Sequence, residues 1–283
     1  MAQFTNQAQL TYNGMTINSN ITIGEFLEDI SAEKHAIIGT YVLGDEITYV
    51  VSIVNTSDTT QTNVTVTDDL GSYIAGGTTV YPLTYVEGSV TYYKNGELQQ
   101  QPVLSATAPL TITGITVPEG GNAIIIYKAA VNEFAAPGVG GTITNTATID
   151  GAGITTPIAV SETVTAEEGA RLTITKSLEP TVISESGTLT YTLVVRNYGN
   201  TPADASDNIV ITDVFNPILM NITVTRDGAT LPASAYTYSE TTGVFRTVSG
   251  QITVPAATYT QNPITGAWTV TPGVTTIVIS GTV

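Results

Sequence analysis

The chain repeats itself, and the repeat is out of phase with its own ends. Residues 34–55 align without a gap on 176–197, and within that window Gly44-Asp45-Glu46-Ile47-Thr48-Tyr49 faces Ser186-Gly187-Thr188-Leu189-Thr190-Tyr191. Further on, Asn63-Val64-Thr65-Val66-Thr67-Asp68 matches Asn208-Ile209-Val210-Ile211-Thr212-Asp213, and Lys94-Asn95-Gly96 matches Arg226-Asp227-Gly228. Late in each unit, residues 120–130 match 273–283. Self-similarity over so long a period means two copies of one folding unit. The first unit continues into Ile143-Thr144-Asn145-Thr146-Ala147-Thr148-Ile149, which has no counterpart after the second. Its counterpart lies at the start of the chain, in Phe4-Thr5-Asn6-Gln7-Ala8-Gln9-Leu10, with Gly14 standing for Gly153. The expected division is a donor strand and connector at 1–29, a sandwich at 30–150, an inter-domain connector at 151–169, and a second sandwich at 170–283 that lacks its last strand.

The local pattern is that of strands. Residues 47–54, 64–67, 123–131, 188–195 and 209–211 alternate with period two, and Asn95-Gly96 and Asp227-Gly228 are hairpin signals. No stretch sustains helical spacing over several turns; residues 25–33 come nearest to a helix. The expected class is all-β, two tandem Ig-like sandwiches, the second completed by an N-terminal strand from a neighbouring subunit.

A sandwich short of one strand exposes unpaired backbone and an apolar groove. A strand given by the next subunit repairs both, and a head-to-tail contact that does not close propagates a filament. The donor face carries Phe4, Asn6, Ala8 and Leu10. Two alternatives stay open. The opening strand folds back into its own second sandwich, which asks a spacer of about 20 residues to run nearly extended over roughly 40 Å. Or it is frayed.

Alternation also gives side-chain direction. Lys34 shares a face with Ile30, Ala32 and Ala36, and Lys176 with Leu172, Ile174 and Leu178. Asp68 lies in the row of Val64, Val66 and Leu70, and Asp213 in that of Ile209, Ile211 and Phe215. Asn145 lines up with Ile143, Ala147 and Ile149, as Asn6 does with Phe4, Ala8 and Leu10. A lysine almost never sits unpaired in a core, and two of the chain's four lysines hold these equivalent places. A buried Lys, Asp and Asn together suit amide formation. Desolvation favours the neutral amine and raises the acid, which then shuttles a proton. The expected pairs are Lys34 with Asn145 helped by Asp68, and Lys176 with Asn6 of a neighbouring chain helped by Asp213. A buried Lys–Asp ion pair capped by the asparagine satisfies the same burial with no reaction.

The segments "LTITKSLEP", "GTLTYTLVVRNYGN", "NIVITDVF" and "GTITNTATIDG" resemble the bacterial surface repeats catalogued as domain of unknown function eleven. They are also similar to the isopeptide-forming domains of Gram-positive fimbrial proteins. The resemblance implies an Ig-like sandwich on an extracellular or cell-surface protein. From the fimbrial domains it implies a Lys–Asn bond helped by an acid, at Lys34, Asp68 and Asn145 and at Lys176 and Asp213. Gln7 departs from the usual Thr after Asn6. No sortase signal, lipidation motif or signal peptide is visible, so the expected location is extracellular or on a cell or spore surface by an unknown export route. A mature form fits, and so does release around a spore when the mother cell lyses.

Composition removes other classes. The 283 residues hold eight Lys+Arg against 24 Asp+Glu, a net charge of -16, and no cysteine. Nucleic acid and anionic membrane are poor partners for such a chain; disulfides and thiolate metal sites are impossible. The single histidine, His35, points to solvent by alternation and supports no metal site or dyad. Trp268 and the fourteen tyrosines read as core and rim. The acidic stretches Asp68-Asp69 and 204–207 lack a calcium-loop pattern. No cofactor, metal or small-molecule substrate is expected, and no enzyme beyond a single-turnover bond. The expected partner is the chain itself, in a homopolymer; a monomeric adhesin or stalk module binding a host or glycan ligand is the alternative.

Overall fold

The computed structural model describes residues 3–25 and 29–283. The chain is all-β, with two short 3-10 turns and no α-helix among the described residues. Two sheets form the first sandwich. One runs, in order, Glu97–Leu98, Thr91–Lys94, Gly121–Val131, Glu46–Asn55 and Ile30–Ala36, with Leu83–Tyr85 also pairing to Gly121–Val131. The other runs Val103–Thr107, Leu110–Val117, Gln61–Asp68, Thr142–Asp150, Ile158–Ala166 and Thr40–Tyr41. Strict alternation puts Ile47, Tyr49, Val51 and Ile53 of one sheet into a shared core with Val64, Val66, Ile112 and Ile149 of the other. Tyr41, Tyr49 and Tyr127 are among the largest fully buried side chains.

The second sandwich is leaner. Its larger sheet runs Leu172–Glu179, Thr188–Asn197, Gly273–Thr282, Met220–Arg226 and Ala229–Thr230. Facing it among the described residues is the three-stranded sheet Thr212–Val214, Val244–Thr247 and Tyr236–Tyr238, around a core of Leu193, Phe215, Phe245, Ile277 and neighbours. A further hairpin, Thr258–Gln261 with Trp268–Thr271, reaches the first sandwich. There Trp268 N–H donates to Glu133 O (2.8 Å) and Gln261 Nε2 to the Tyr73 hydroxyl (2.9 Å). Asn200 Nδ2 donates to Pro137 O (3.2 Å) and Glu167 O (3.0 Å). The second sandwich thus abuts the end of the first that holds Tyr41, Glu133 and Pro137.

Residues 3–25 stand apart as a hairpin. Gln3–Asn6 pairs with Thr22–Glu25, and Gln9–Tyr12 with Met15–Asn18, around a two-residue Asn13-Gly14 turn with φ of 49° and 76°. Positive φ at both turn residues is the reason Asn-Gly occupies them.

Four sequence expectations change. The helical candidate at 25–33 is strand on either side of 26–28, which lie outside the described residues. Residues 209–211 are not strand; the strand there is Thr212–Val214. The range 151–169, read as a connector, contains the strand Ile158–Ala166, hydrogen-bonded along Thr142–Asp150 and packed against Ile30–Ala36. Finally, the late repeat shifts by one residue. Tyr127 pairs with Tyr49 and Ile279 with Tyr191, so Tyr127 corresponds to Ile279 and Val131 to Val283. Val131 N–H donates to Asp45 O (2.8 Å) and Val283 N–H to Gly187 O (3.0 Å), the same bond in both units. A one-residue slip turns every side chain to the opposite face. Under the match of 120–130 with 273–283 Ser280 would stand for Tyr127; in the structure Ile279 does.

Candidate functional site

In the first sandwich the three polar residues expected to point inward do so and converge. The strands Ile30–Ala36, Gln61–Asp68 and Thr142–Asp150 supply Lys34, Asp68 and Asn145, each almost wholly buried. Lys34 Nζ lies 2.5 Å from Asp68 Oδ2. The other oxygen of Asp68 accepts the Leu70 N–H at 3.0 Å. A fourth member was not anticipated: the Tyr127 hydroxyl donates to Asp68 Oδ2, and Asn145 Nδ2 donates to the Tyr127 oxygen at 3.3 Å. Asn145 Oδ1 is buried and has no hydrogen-bond partner among the described residues. Such an orphan acceptor in a core calls for a reason.

Burial governs the charges. Desolvation pulls the Lys34 ammonium below its usual value, against the attraction of Asp68. Burial, and then the Asp68 charge, holds the Tyr127 phenol well above its usual value, so it stays a donor. Tyr49 stacks on Tyr127 with ring centroids 5.6 Å apart, and Lys34 Nζ lies 5.0 Å from the Tyr49 centroid. The lysine therefore sits in an aromatic pocket with one carboxylate. Next door, Asp69 Oδ1 accepts the N–H groups of Gly71 and Thr146, both at 2.8 Å, and so ties the asparagine strand to the aspartate strand.

The second sandwich builds half of this. Lys176 Nζ and Asp213 Oδ2 form an ion pair at 2.5 Å. Lys176 lies over the rings of Tyr191 (4.3 Å) and Phe215 (5.3 Å). The lysine side chain is 39% exposed and the aspartate 16%, against 0% for both in the first sandwich. Ile279 replaces the phenol. Asn6 is not at this site; it is exposed on the hairpin, paired with Thr22.

What is missing around Lys176 can be named from the first sandwich. Gln61–Asp68 is eight residues long and paired on both sides, by Leu110–Val117 and Thr142–Asp150. Its counterpart Thr212–Val214 has three residues and, among the described residues, a partner on one side only. Leu172–Glu179 is exposed along its whole length: Leu172 is 40% exposed where Ile30 is 5%.

Phe4, Ala8 and Leu10 are exposed as well. Phe4 crosses to Gly24 as Ile143 crosses to Val164. A Cβ on Gly24 would come within 2.3 Å of the Phe4 ring, so a large and a small residue stand where two middling ones do in the first sandwich.

The other candidates do not form sites. His35 is exposed, 3.4 Å from Glu33. Asp204 caps a 3-10 turn through Ser206, and no group of three or more His, Cys, Asp or Glu gathers among the described residues. Trp268, Tyr41 and Tyr259 line the cleft between the sandwiches. No helix among the described residues is long and apolar enough to cross a membrane.

No family model matches the chain, and no curated protein sequence does. Among solved structures it is similar to BcpA, the major pilin subunit of Bacillus cereus, at 13% identity over 96% of this chain and 73% of that one, with a TM-score of 0.36. It is similar to the pilus backbone RrgB of Streptococcus pneumoniae at 12% identity over 87% of this chain and 55% of that one, with a TM-score of 0.36. The 35 kDa C-terminal fragment of the major pilin GBS80 of Streptococcus agalactiae gives 11% identity over 87% and 91%, again with a TM-score of 0.36. At these scores the likeness extends to β-rich construction and no further.

Proposed function

We propose that the chain is a structural subunit that joins head-to-tail into an extracellular fibre on a cell or spore surface. In this reading the N-terminal strand of one copy completes the second sandwich of the next. One observation carries it: the slot beside Asp213 is open, and an exposed hairpin of the same chain bears the residues that fill the equivalent place in the first sandwich. A copy's own hairpin is badly placed to fill its own slot. It joins the first sandwich at Ile30, which pairs with Asn55, whereas the second sandwich abuts the end near Glu46 and Val131. The Glu46–Asn55 strand between those ends has 10 residues, about 33 Å, and the four residues 26–29 reach about 14 Å at most.

The energetics favour the same contact. Fully burying one Leu, Ile or Phe side chain contributes about 1.5–3 kcal/mol. Phe4, Leu10, Ile17, Leu172 and Ile174 are all exposed, so covering them offsets an association cost on the order of 4–15 kcal/mol.

Within this reading the lysines lock the assembly. The neutral Lys34 amine attacks Asn145 Cγ. A C–N bond forms, the bond from Cγ to Nδ2 breaks, and Asp68 carries the amine proton to the departing nitrogen, which leaves as ammonia. Lys176 and Asp213 do the same with Asn6 of the neighbour. Each reaction occurs once, so the chain is no enzyme in the turnover sense.

Deleting residues 1–12 should abolish fibres in negative-stain micrographs; undiminished fibres would overturn the proposal. Each bond should lower the intact mass by about 17 Da through loss of ammonia. Linked fibres should give ladders in boiling detergent that Lys176→Ala removes, and unchanged mass with a clean monomer band would eliminate the bond while leaving the fibre.

A further inference from the structure

We infer that the donor is the whole hairpin rather than a single strand, and that its second arm, Met15–Asn18 with Thr22–Glu25, is a lid that dries the Lys176–Asp213 pair of a second copy of this chain. The inference rests on the head-to-tail reading above. It concerns which part of the neighbour covers the lysine strand.

The first sandwich supplies the template. There the strand after the asparagine strand, Ile158–Ala166, packs against Ile30–Ala36. Val164 and Ala166 are buried, and Ile158 and Val160 pack on the core. That cover is why Lys34 is dry. Thr142–Asp150 alone would complete the ladder on Gln61–Asp68 and leave the lysine strand bare.

The two ends of the N-terminal hairpin pair as the asparagine and cover strands do, with one extra residue in the second arm between them. Asn145 lies opposite Glu162 and Asn6 opposite Thr22; Ile149 lies opposite Ile158 and Leu10 opposite Ile17. Ile17 thus takes the position of Ile158, on the face that Phe4, Asn6, Ala8 and Leu10 share. Its target in the second copy is the row of Leu172, Ile174 and Leu178, all exposed.

Charge points to the same occupant. Residues 1–24 contain no charged side chain, although the full chain carries 24 acidic and eight basic ones. Burying both faces of such a hairpin strands no ion. Exposed edges normally carry charges that discourage pairing; this one carries none up to Gly24, and Glu25 stands only at its base. The consequence is a bond-forming lysine that stays wet in the free subunit and becomes desolvated only on docking, so covalent closure waits for correct assembly.

The chain has no cysteine, so a single introduced thiol reports its own burial. The full-length Ile174→Cys variant is treated with a maleimide before and after fibre growth, with Leu98→Cys, exposed on the first sandwich, as control. The lid predicts a fall in labelling rate of at least about tenfold in fibres at position 174 and none at 98. Leu172→Cys repeats the measurement if the first variant fails to assemble. Fibres in which position 174 labels as fast as in free subunits would overturn the lid and leave head-to-tail assembly standing. Absence of fibres from the unsubstituted chain would instead remove the reading beneath it.

Discussion

The two sandwiches hold the same lysine and the same aspartate at the same separation, yet the first pair is dry and the second is wet. The difference lies in the cover. Around Lys34 the chain supplies an asparagine strand, a cover strand and a phenol. Around Lys176 it supplies two aromatic rings and an open side. A shared sequence motif therefore fixes which groups meet, while the neighbouring strands decide whether they meet in water. Burial depresses the Lys34 ammonium, whereas the Lys176 side chain stays 39% exposed.

Substitutions can break or sharpen this contrast. The largest effect is expected from Lys34→Ala, which strands the Asp68 charge in the core; a loss of about 3–5 kcal/mol in denaturant unfolding of the first sandwich is expected. A loss under about 1 kcal/mol would show that water already reaches the site. Next comes Tyr127→Phe, which takes a donor from Asp68 and an acceptor from Asn145, at an expected cost of about 1–3 kcal/mol. The same chevron or melting series on Ile279→Val should reveal packing loss only, about 0.5–1.5 kcal/mol. Lys176→Ala in the unassembled subunit should cost no more than about 1 kcal/mol, because the lysine removed is itself 39% exposed.

The smallest expected effect is in pH. The Lys34 ammonium is depressed in the fold, so between that lowered value and the ordinary lysine value the unfolded chain binds a proton that the native one does not. Stability of an unlinked first sandwich should then rise with pH across this window, and fall as pH drops through the native value. Urea midpoints should be taken below about pH 10, where unfolded tyrosines begin to ionise. A linked Lys34 has no amine to titrate, so a flat profile marks the bond.

Much of this was legible in the residues. Alternation placed Lys34, Asp68 and Asn145 on inward faces because one side of each strand must be apolar, and a polar intruder in such a row stands out. The repeat paired Lys176 with Asp213 in the same way, while Asn6 lies exposed on the hairpin, away from both. Tyr127 escapes a sequence reading because it looks like ordinary core, and because the match of 120–130 with 273–283 is one residue out of register and sets Ser280 in its place. The cross-strand partners Tyr49 and Tyr191 would have corrected that. The cover strand escaped too. Residues 158–166 mix Ser, Glu and Thr with Val and Ala, as a strand with one face in solvent does, and so pass for a linker. Which side of Lys176 is open depends on strands far apart in sequence, and no local pattern encodes it.

The Asn13-Gly14 turn has a consequence for how copies could engage. The loop after the first sandwich's asparagine strand runs from Gly151 to Pro157, whereas the free hairpin closes in two residues. In the proposed fibre its blunt nose, flanked by Tyr12 and Met15, is the leading point of a plug. A narrow leading point can thread the socket lengthwise without prying the sandwich apart. Lengthening it would tax the speed of joining more than the strength of the finished joint.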